Sequence, residues 1–475
     1  MIQIAPPRPR LGMLPTACLI LSAAVLGAAS PAGALRGDPP GPSSSAPPAI
    51  LEPATVPLDA RIDGSKVTTV GDPSLPRFVA PPLPAVLRIA EKDAEIAMSP
   101  ESVAAARAAL DRGLDYLIAS QGADGSWMRG SAVTPTDQSP REGAASVAVS
   151  ALAVKAIAQA PTSPTRRDAL DRALRFVTAS LAAGGGFDGL AAGGIGNYVA
   201  SAVVMGLATA GRTEHADRLA EGVMWLQEQQ WDQREGVAPA QDWFGGAGYG
   251  RHGRPDLSNT QLMLDALHDA GVSTEDPAVQ RALVFVSRTQ NLKATNPASW
   301  AQAGSDDGGF VYTPANGGES FASEAAGEGR YGEIQPEGVP RSLRSYGSMT
   351  YAGFKSLLYA GLTADDPRVR AAFDWIRRHW TFDENPGLGQ QGHYYFLHAM
   401  ARALLAAQQA EIETADGVKR NWRDELVAAL ASRQRDDGSW INEADRWEEG
   451  RPELVTVYAL LALEEALKPA MTLGD

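Results

Sequence analysis

Between Gly248 and Gln261 the chain reads GYGRHGRPDLSNTQ. A glycine-rich turn and Pro255 lead into an apolar helix whose first turn carries a carboxyl (Asp256), a hydroxyl (Ser258) and an amide (Asn259). A carboxyl whose pKa is raised by burial is suited to general-acid work. The same residue at a helix start is also a good N-cap. Comparable polar helix starts recur along the chain, at Tyr198, at SYGSMTY (Tyr346, Thr350, Tyr351) and at GLGQQGHYY (Gln391, His393, Tyr394). Together with His252, Ser258 and Asn259, these residues are the candidate ligand-binding set. Asp307, in SDDGGFVYTP, is the second acid that could assist Asp256, although the same DDG recurs at Asp436-Asp437-Gly438, where it reads as a solvated turn.

The elements that would position these groups alternate in kind. Ser99-Pro100-Glu101 is a helix start, and Val103, Ala106, Leu110, Leu114 and Leu117 follow at helical spacing. After a loop comes a helix that is apolar on every face, AASVAVSALAVKAIAQA, which predicts an outer amphipathic helix paired with an inner buried one. The pair occurs six times. AGVSTEDPAVQRALVFV from Ala270 and AGLTADDPRVRAAFDWI from Ala360 overlay directly, and QGADGSW from Gln121 matches QRDDGSW from Gln434. Equivalent positions fall at Gln121, Leu181, Gln230, Gln290, Trp380 and Gln434, with an insertion at 291–344. Six pairs bury their faces by stacking side by side, and closure into a ring leaves no end pair exposed. The inner-helix N-termini would then gather at one mouth, where free N–H groups favour anionic or electron-rich ligands. The long glycine-rich insertion, with Trp300, Phe310, Tyr312 and Phe321, reads as a lid over that mouth.

The 475 residues carry a formal net charge of −14, which repels phosphate backbones and excludes nucleic acid as a partner. At the N-terminus, Arg8 and Arg10 precede an apolar run from Leu11 to Ala29, and Ala32-Gly33-Ala34 offers a cleavage site. Residues 1–34 are therefore expected to be a signal peptide, with export to the periplasm or beyond and an N-terminal membrane anchor as the alternative. The only cysteine, Cys18, lies inside that run, so the processed chain would hold no thiolate. Residues 35–98, rich in Pro, Ala and Ser, are expected to be a spacer, and 99–468 one folded domain.

Gln121 to Trp127 and Gln434 to Trp440 match the QxxDGSW form of the QW repeat. On these motifs and the six-pair layout, 99–467 resembles the α/α toroids of squalene/hopene cyclases and protein prenyltransferases. The resemblance implies an all-α, six-pair α/α toroid. It also implies a catalytic position, because in the cyclases one inner helix starts with DxDDTA. DLSNTQ aligns with that motif, with Asp256 and Thr260 matching and Ser258 and Asn259 standing for the two later acids. In the prenyltransferases an Asp, a Cys and a His hold zinc, whereas here Ser258 replaces the thiolate and SYGSMTY has no His, so no metal is expected. GLGQQ, Gly387 to Gln391, is similar to the GCGEQ of complement-like thioester domains but has Leu388 for the cysteine. No cofactor is implied. Two readings follow: an exported toroid that binds an apolar or extended ligand at the barrel mouth without catalysis, and an enzyme of this superfamily with altered chemistry that uses Asp256 as acid and Asp307 as helper.

Overall fold

A computed structural model describes residues 88–128, 140–191, 193–250, 253–332 and 341–469. The expected signal peptide, the spacer up to residue 87 and His252 lie outside the described residues. Among the described residues twelve α-helices of 12 residues or more build the ring, and three five-residue helices, Phe187–Ala191, Ser299–Ala303 and Phe321–Ala325, lie in the connections. The ring helices are α1 (Pro100–Ala119), α2 (Pro140–Gln159), α3 (Pro164–Gly184), α4 (Gly196–Ala210), α5 (Ala216–Glu228), α6 (Leu257–Asp269), α7 (Pro277–Arg288), α8 (Gly347–Tyr359), α9 (Pro367–Arg378), α10 (His393–Ala407), α11 (Trp422–Arg433) and α12 (Pro452–Ala466).

Odd-numbered helices are outer and even-numbered helices inner. Four of the outer helices, α1, α3, α7 and α9, begin with Ser or Asp followed by Pro, and in each the side chain of Ser99, Ser163, Asp276 or Asp366 accepts a hydrogen bond from the helix's first turn. In α1, α3 and α7 the buried residues form one stripe, whereas α9 is buried on every side from Ala371 to Arg377. The inner helices are buried nearly all round, including the polar residues that interrupt their apolar sequence, such as Gln261, Asp265 and Lys355. Each inner helix packs on the next, α2 on α4, then α6, α8, α10 and α12, and α12 returns to α2. The fold is an all-α, six-pair α/α toroid. A two-stranded antiparallel ribbon, β1 (Glu411–Glu413) with β2 (Lys419–Asn421), pairs Ile412 with Arg420 between α10 and α11. Among the described residues no helix is long and apolar enough to cross a membrane.

The Gln and Gly of the repeated turns act as staples. Gln121 Nε2 donates to Gly125 O (3.1 Å) and to Ala169 O of α3 (3.0 Å). Gln230 does the same to Gly245 O and Ala278 O, and Gln290 to Gly308 O and Arg368 O. Gln434 donates to Gly438 O and to Ala109 O of α1, both at 2.9 Å, so the last turn sews the ring shut. Trp127 and Trp440 are buried, and their Nε1 atoms donate to Leu117 O and Leu430 O of the helix just ended. The aromatic wedges are structural.

Two segments outside the twelve ring helices join the core. Ile89, Ala90 and Ile96 are buried, and Ala90 N donates to Leu467 O at 2.9 Å, so the chain packs on the ring before α1 begins. Within the insertion, Trp300, Ala301, Val311 and Leu343 form a small core of their own. Tyr312 O accepts from Leu257 N (2.8 Å) and Thr313 Oγ1 donates to Pro255 O (2.7 Å), which fastens this segment to the start of α6.

Candidate functional site

The inner-helix N-termini enclose a central chamber of about 180 Å³. Tyr198 on α4, Ser258 on α6, Tyr346 and Ser348 at the start of α8, Gly392 before α10 and Leu454 on α12 surround its upper part, with Phe321 of the insertion and Trp447 above. Lower down, one stripe of each helix lines it: Ala148, Val149 and Leu152 of α2, Ala202 of α4, Leu262 and Asp265 of α6, Lys355 of α8, His398 and Ala399 of α10. From Ser258 to Asp265 the helix rises about 10 Å, at about 1.5 Å per residue, which sets the depth. The lining is mostly apolar, with six tyrosines: Tyr198, Tyr249, Tyr312, Tyr346, Tyr395 and Tyr458. Burial raises the pKa of every one of them, which keeps their hydroxyls neutral donors at ordinary pH.

Asp256 stands just behind this wall. It is the N-cap of α6, 1% exposed, and its Oδ1 accepts from Asn259 N at 2.9 Å and from Ser258 Oγ at 2.6 Å. Its Oδ2 accepts from Asn259 Nδ2 at 2.8 Å. Burial raises the Asp256 pKa, and the hydrogen bonds from Ser258, Asn259 and Tyr312 oppose that rise. Ser258, which does face the chamber, accepts from Tyr198 OH at 2.9 Å, so a hydrogen-bonded chain runs from Tyr198 through Ser258 to Asp256. Asn259 is the tie between helix starts, since Asn197 Nδ2 of α4 donates to Asn259 O (2.9 Å) and Oδ1 (3.1 Å).

Tyr198, Ser258 and Tyr346 are thus brought together at the chamber, and the other described candidates are not. Asp307 is part of a turn: it accepts from Gly309 N (2.9 Å) and Ser345 Oγ (2.8 Å), is partly exposed, and is absent from the lining. The Thr350 hydroxyl is spent on Phe310 N and Tyr346 O. Thr260 treats Ala247 N and Asp256 O in the same way. Tyr351 packs edge-on against Phe396 away from the chamber. His393 Nε2 donates to Phe382 O (3.0 Å), Gln391 Oε1 accepts from Arg446, and the Tyr394 amide donates to Glu449. These helix-start groups serve the neighbouring loops because an N-terminal residue can face outward or along the ring as readily as inward.

Several wall residues lie where motif reading does not reach. Glu449, 1% exposed, caps α10 from the loop before α12. It accepts from Tyr395 N (2.7 Å), Tyr394 N (3.2 Å) and Asn442 Nδ2 (2.7 Å), and burial lifts its pKa to about 7. At the floor, Lys355 Nζ donates to Asp265 Oδ2 and to Gln261 Oε1, each at 2.7 Å, and Gln261 Nε2 donates to Tyr395 OH at 2.9 Å. Burial lowers the Lys355 pKa to about 8 against the pull of Asp265, while nearby Arg402 lowers it further. Beneath this, Arg402 and Lys155 pair with Asp269. The signal for these residues was present in the sequence: Gln261, Asp265, Lys355 and His398 are polar residues in otherwise buried helices. Among the described residues no group of three or more His, Cys, Asp or Glu side chains is placed to hold a metal ion.

No protein-family profile and no curated protein matches the chain. Solved structures do. The GH76A alpha-1,6-mannanase from Salegentibacter sp. HEL1_6 has 9% identity and a TM-score of 0.47 over 76% of this chain and 98% of its own. The type II terpene cyclase MstE from Scytonema has 13% identity and a TM-score of 0.30 over 77% of this chain and 98% of its own. A protein from Actinoplanes has 17% identity and a TM-score of 0.30 over 76% and 99%. At such scores none of them bears on the chemistry of this chain, and its fold is read from its own helix packing.

Proposed function

We propose that this protein is an exported binding toroid, a divergent relative of the squalene/hopene cyclases and prenyltransferases, that holds a small and mostly apolar molecule at the centre of its ring. The chamber carries this reading. It is enclosed by all six inner helices and walled mainly by apolar and tyrosine side chains, surfaces that take up ring-shaped ligands and still offer hydroxyl donors. An apolar cavity of about 150 Å³ holds benzene, so about 180 Å³ accommodates one ring and little more. A longer ligand would enter with one end only. Export rests on the N-terminal apolar run and its Ala-Gly-Ala, and kinship on the Gln, Gly and Trp turns. Asp256 enters this reading as a helix cap, because Ser258 occupies the wall position where a proton donor would have to stand.

The test is to follow thermal unfolding with benzene-sized aromatics, in the wild type and in Ala148→Phe, which fills the chamber from α2. A ligand at a hundredfold excess over its Kd is expected to stabilise the wild type by about 2.7 kcal/mol and the variant not at all. Equal stabilisation of both, or none of the wild type, would remove the chamber as the site.

A further inference from the structure

The chamber floor holds polar atoms that the protein leaves without partners. Asp265 and His398 both line it and are 1% and 5% exposed. Asp265 Oδ2 is taken by Lys355, whereas Asp265 Oδ1 has no hydrogen-bond partner among the described residues, and neither has His398 Nε2. Buried polar atoms are almost always paired, and each exception calls for a reason. Both atoms belong to the lining of one mostly apolar cavity, and Lys355, which holds Asp265, also acts on His398; the two exceptions share a reason if a ligand's polar end sits there.

The charge of that end follows from the surroundings. Lys155, Lys355 and Arg402 act on His398 from three helices and, after burial itself, are what keep its imidazole neutral, while Asp269 acts the other way. The same cations disfavour an ammonium group at the floor. A carboxylate would have no proton to give Asp265 Oδ1 and would meet a like charge there. A hydroxyl meets both needs, since it donates once and accepts once.

Taking the chamber as the ligand site, we infer that the ligand is an uncharged ring bearing a hydroxyl, a phenol or a cyclic alcohol. Its O–H donates to Asp265 Oδ1 and its oxygen accepts from His398 Nε2–H, with the ring among Tyr395, Tyr458 and Leu262 above. Lys355 belongs to the same floor as a positioning residue, holding Asp265 through Oδ2 so that Oδ1 stays directed at the ligand.

A series with a constant ring tests this by calorimetry at neutral pH, using phenol, toluene, benzylamine and benzoate, with cyclohexanol as the saturated alcohol. Phenol, with two hydrogen bonds that toluene lacks, is expected to bind at least about tenfold tighter than toluene, with benzylamine and benzoate weaker than phenol. Asp265→Asn is expected to bring phenol and toluene within about threefold of each other. If that variant does not fold, the wild-type series still decides. Toluene matching phenol would overturn the hydroxyl assignment and leave the chamber as an apolar site, with water retained on Asp265. Benzoate or benzylamine binding tightest would overturn it in favour of a charged head group. Failure of every ring to bind would remove the chamber reading itself.

Discussion

Glu449 and His393 meet at the start of α10 and titrate in opposite senses. Burial raises Glu449 from 4.5 to about 7, so its contribution to stability is complete below pH 4.5 and is lost as pH rises through 7. Burial lowers His393 from 6.5 to about 4, so its contribution is present above pH 6.5 and is lost as pH falls through 4. Between pH 4.5 and 6.5 the two slopes offset each other. Glu449→Gln removes one of them. Its unfolding free energy relative to wild type is expected to rise with pH across that window, by up to about 1.4 kcal/mol per pH unit, as read from urea midpoints at a series of pH values. Parallel curves for the two proteins would show that Glu449 does not titrate there. Neither role was legible beforehand. A helix-start histidine reads as a ligand, and a glutamate in a loop far along the chain carries no mark that it will cap another helix. Tyr198, Ser258 and Tyr346 were found because the helix-start rule coincides with the wall at those places. Asp265, Lys355 and His398 were missed because the rule stops at the first turn, while the chamber continues for two more.

At the scale of the elements, the turns were the most legible part, because their chemistry is local. Gly438 has φ +88°, and a Cβ there would lie 2.4 Å from Arg112 O on the neighbouring outer helix. Gly125 meets Arg172 O in the same manner, at 2.3 Å. The glycine is thus required twice over, for the left-handed backbone and for the approach of the next helix. Gly417 separates the two causes, since its φ is +77° but nothing lies within 4 Å of its Cβ position. Gly438→Ala is expected to cost about 3 kcal/mol and Gly417→Ala about 1 kcal/mol, measured by chemical denaturation. Equal costs would mean that the contact with α1 contributes nothing. The insertion was legible only as irregular sequence. Its role as wall depends on Tyr312 and Phe321 reaching back to the start of α6 and to Trp447, a long-range placement with no periodic signal behind it.

The whole molecule is held by closure, and closure follows from the sixth pair matching the first. Besides the Gln434 staple to α1, Gln159 Nε2 of α2 donates to Glu464 Oε2 of α12 at 2.6 Å across the seam. In a closed ring every inner helix has two neighbours, so the position of the chain ends is incidental to the core. The two sides of the domain from which the chain enters and leaves the ring are adjacent, with Ala90 N on Leu467 O. A linker of about five Gly/Ser residues between 469 and 88, with new termini opened between Ser273 and Thr274, keeps every helix contact. Both residues are exposed in the α6–α7 connection, the kind of site where permutation is tolerated. The permutant is expected to unfold in one cooperative transition within about 2 kcal/mol of the parent, because connection length contributes only weakly to stability. It is also expected to keep the ligand stabilisation of the parent, since no chamber residue lies at either junction. Two separate transitions, one for each half of the helices, would mean that the seam between α12 and α2 is too weak to close the ring, and the chamber would lose the wall on which ligand binding depends.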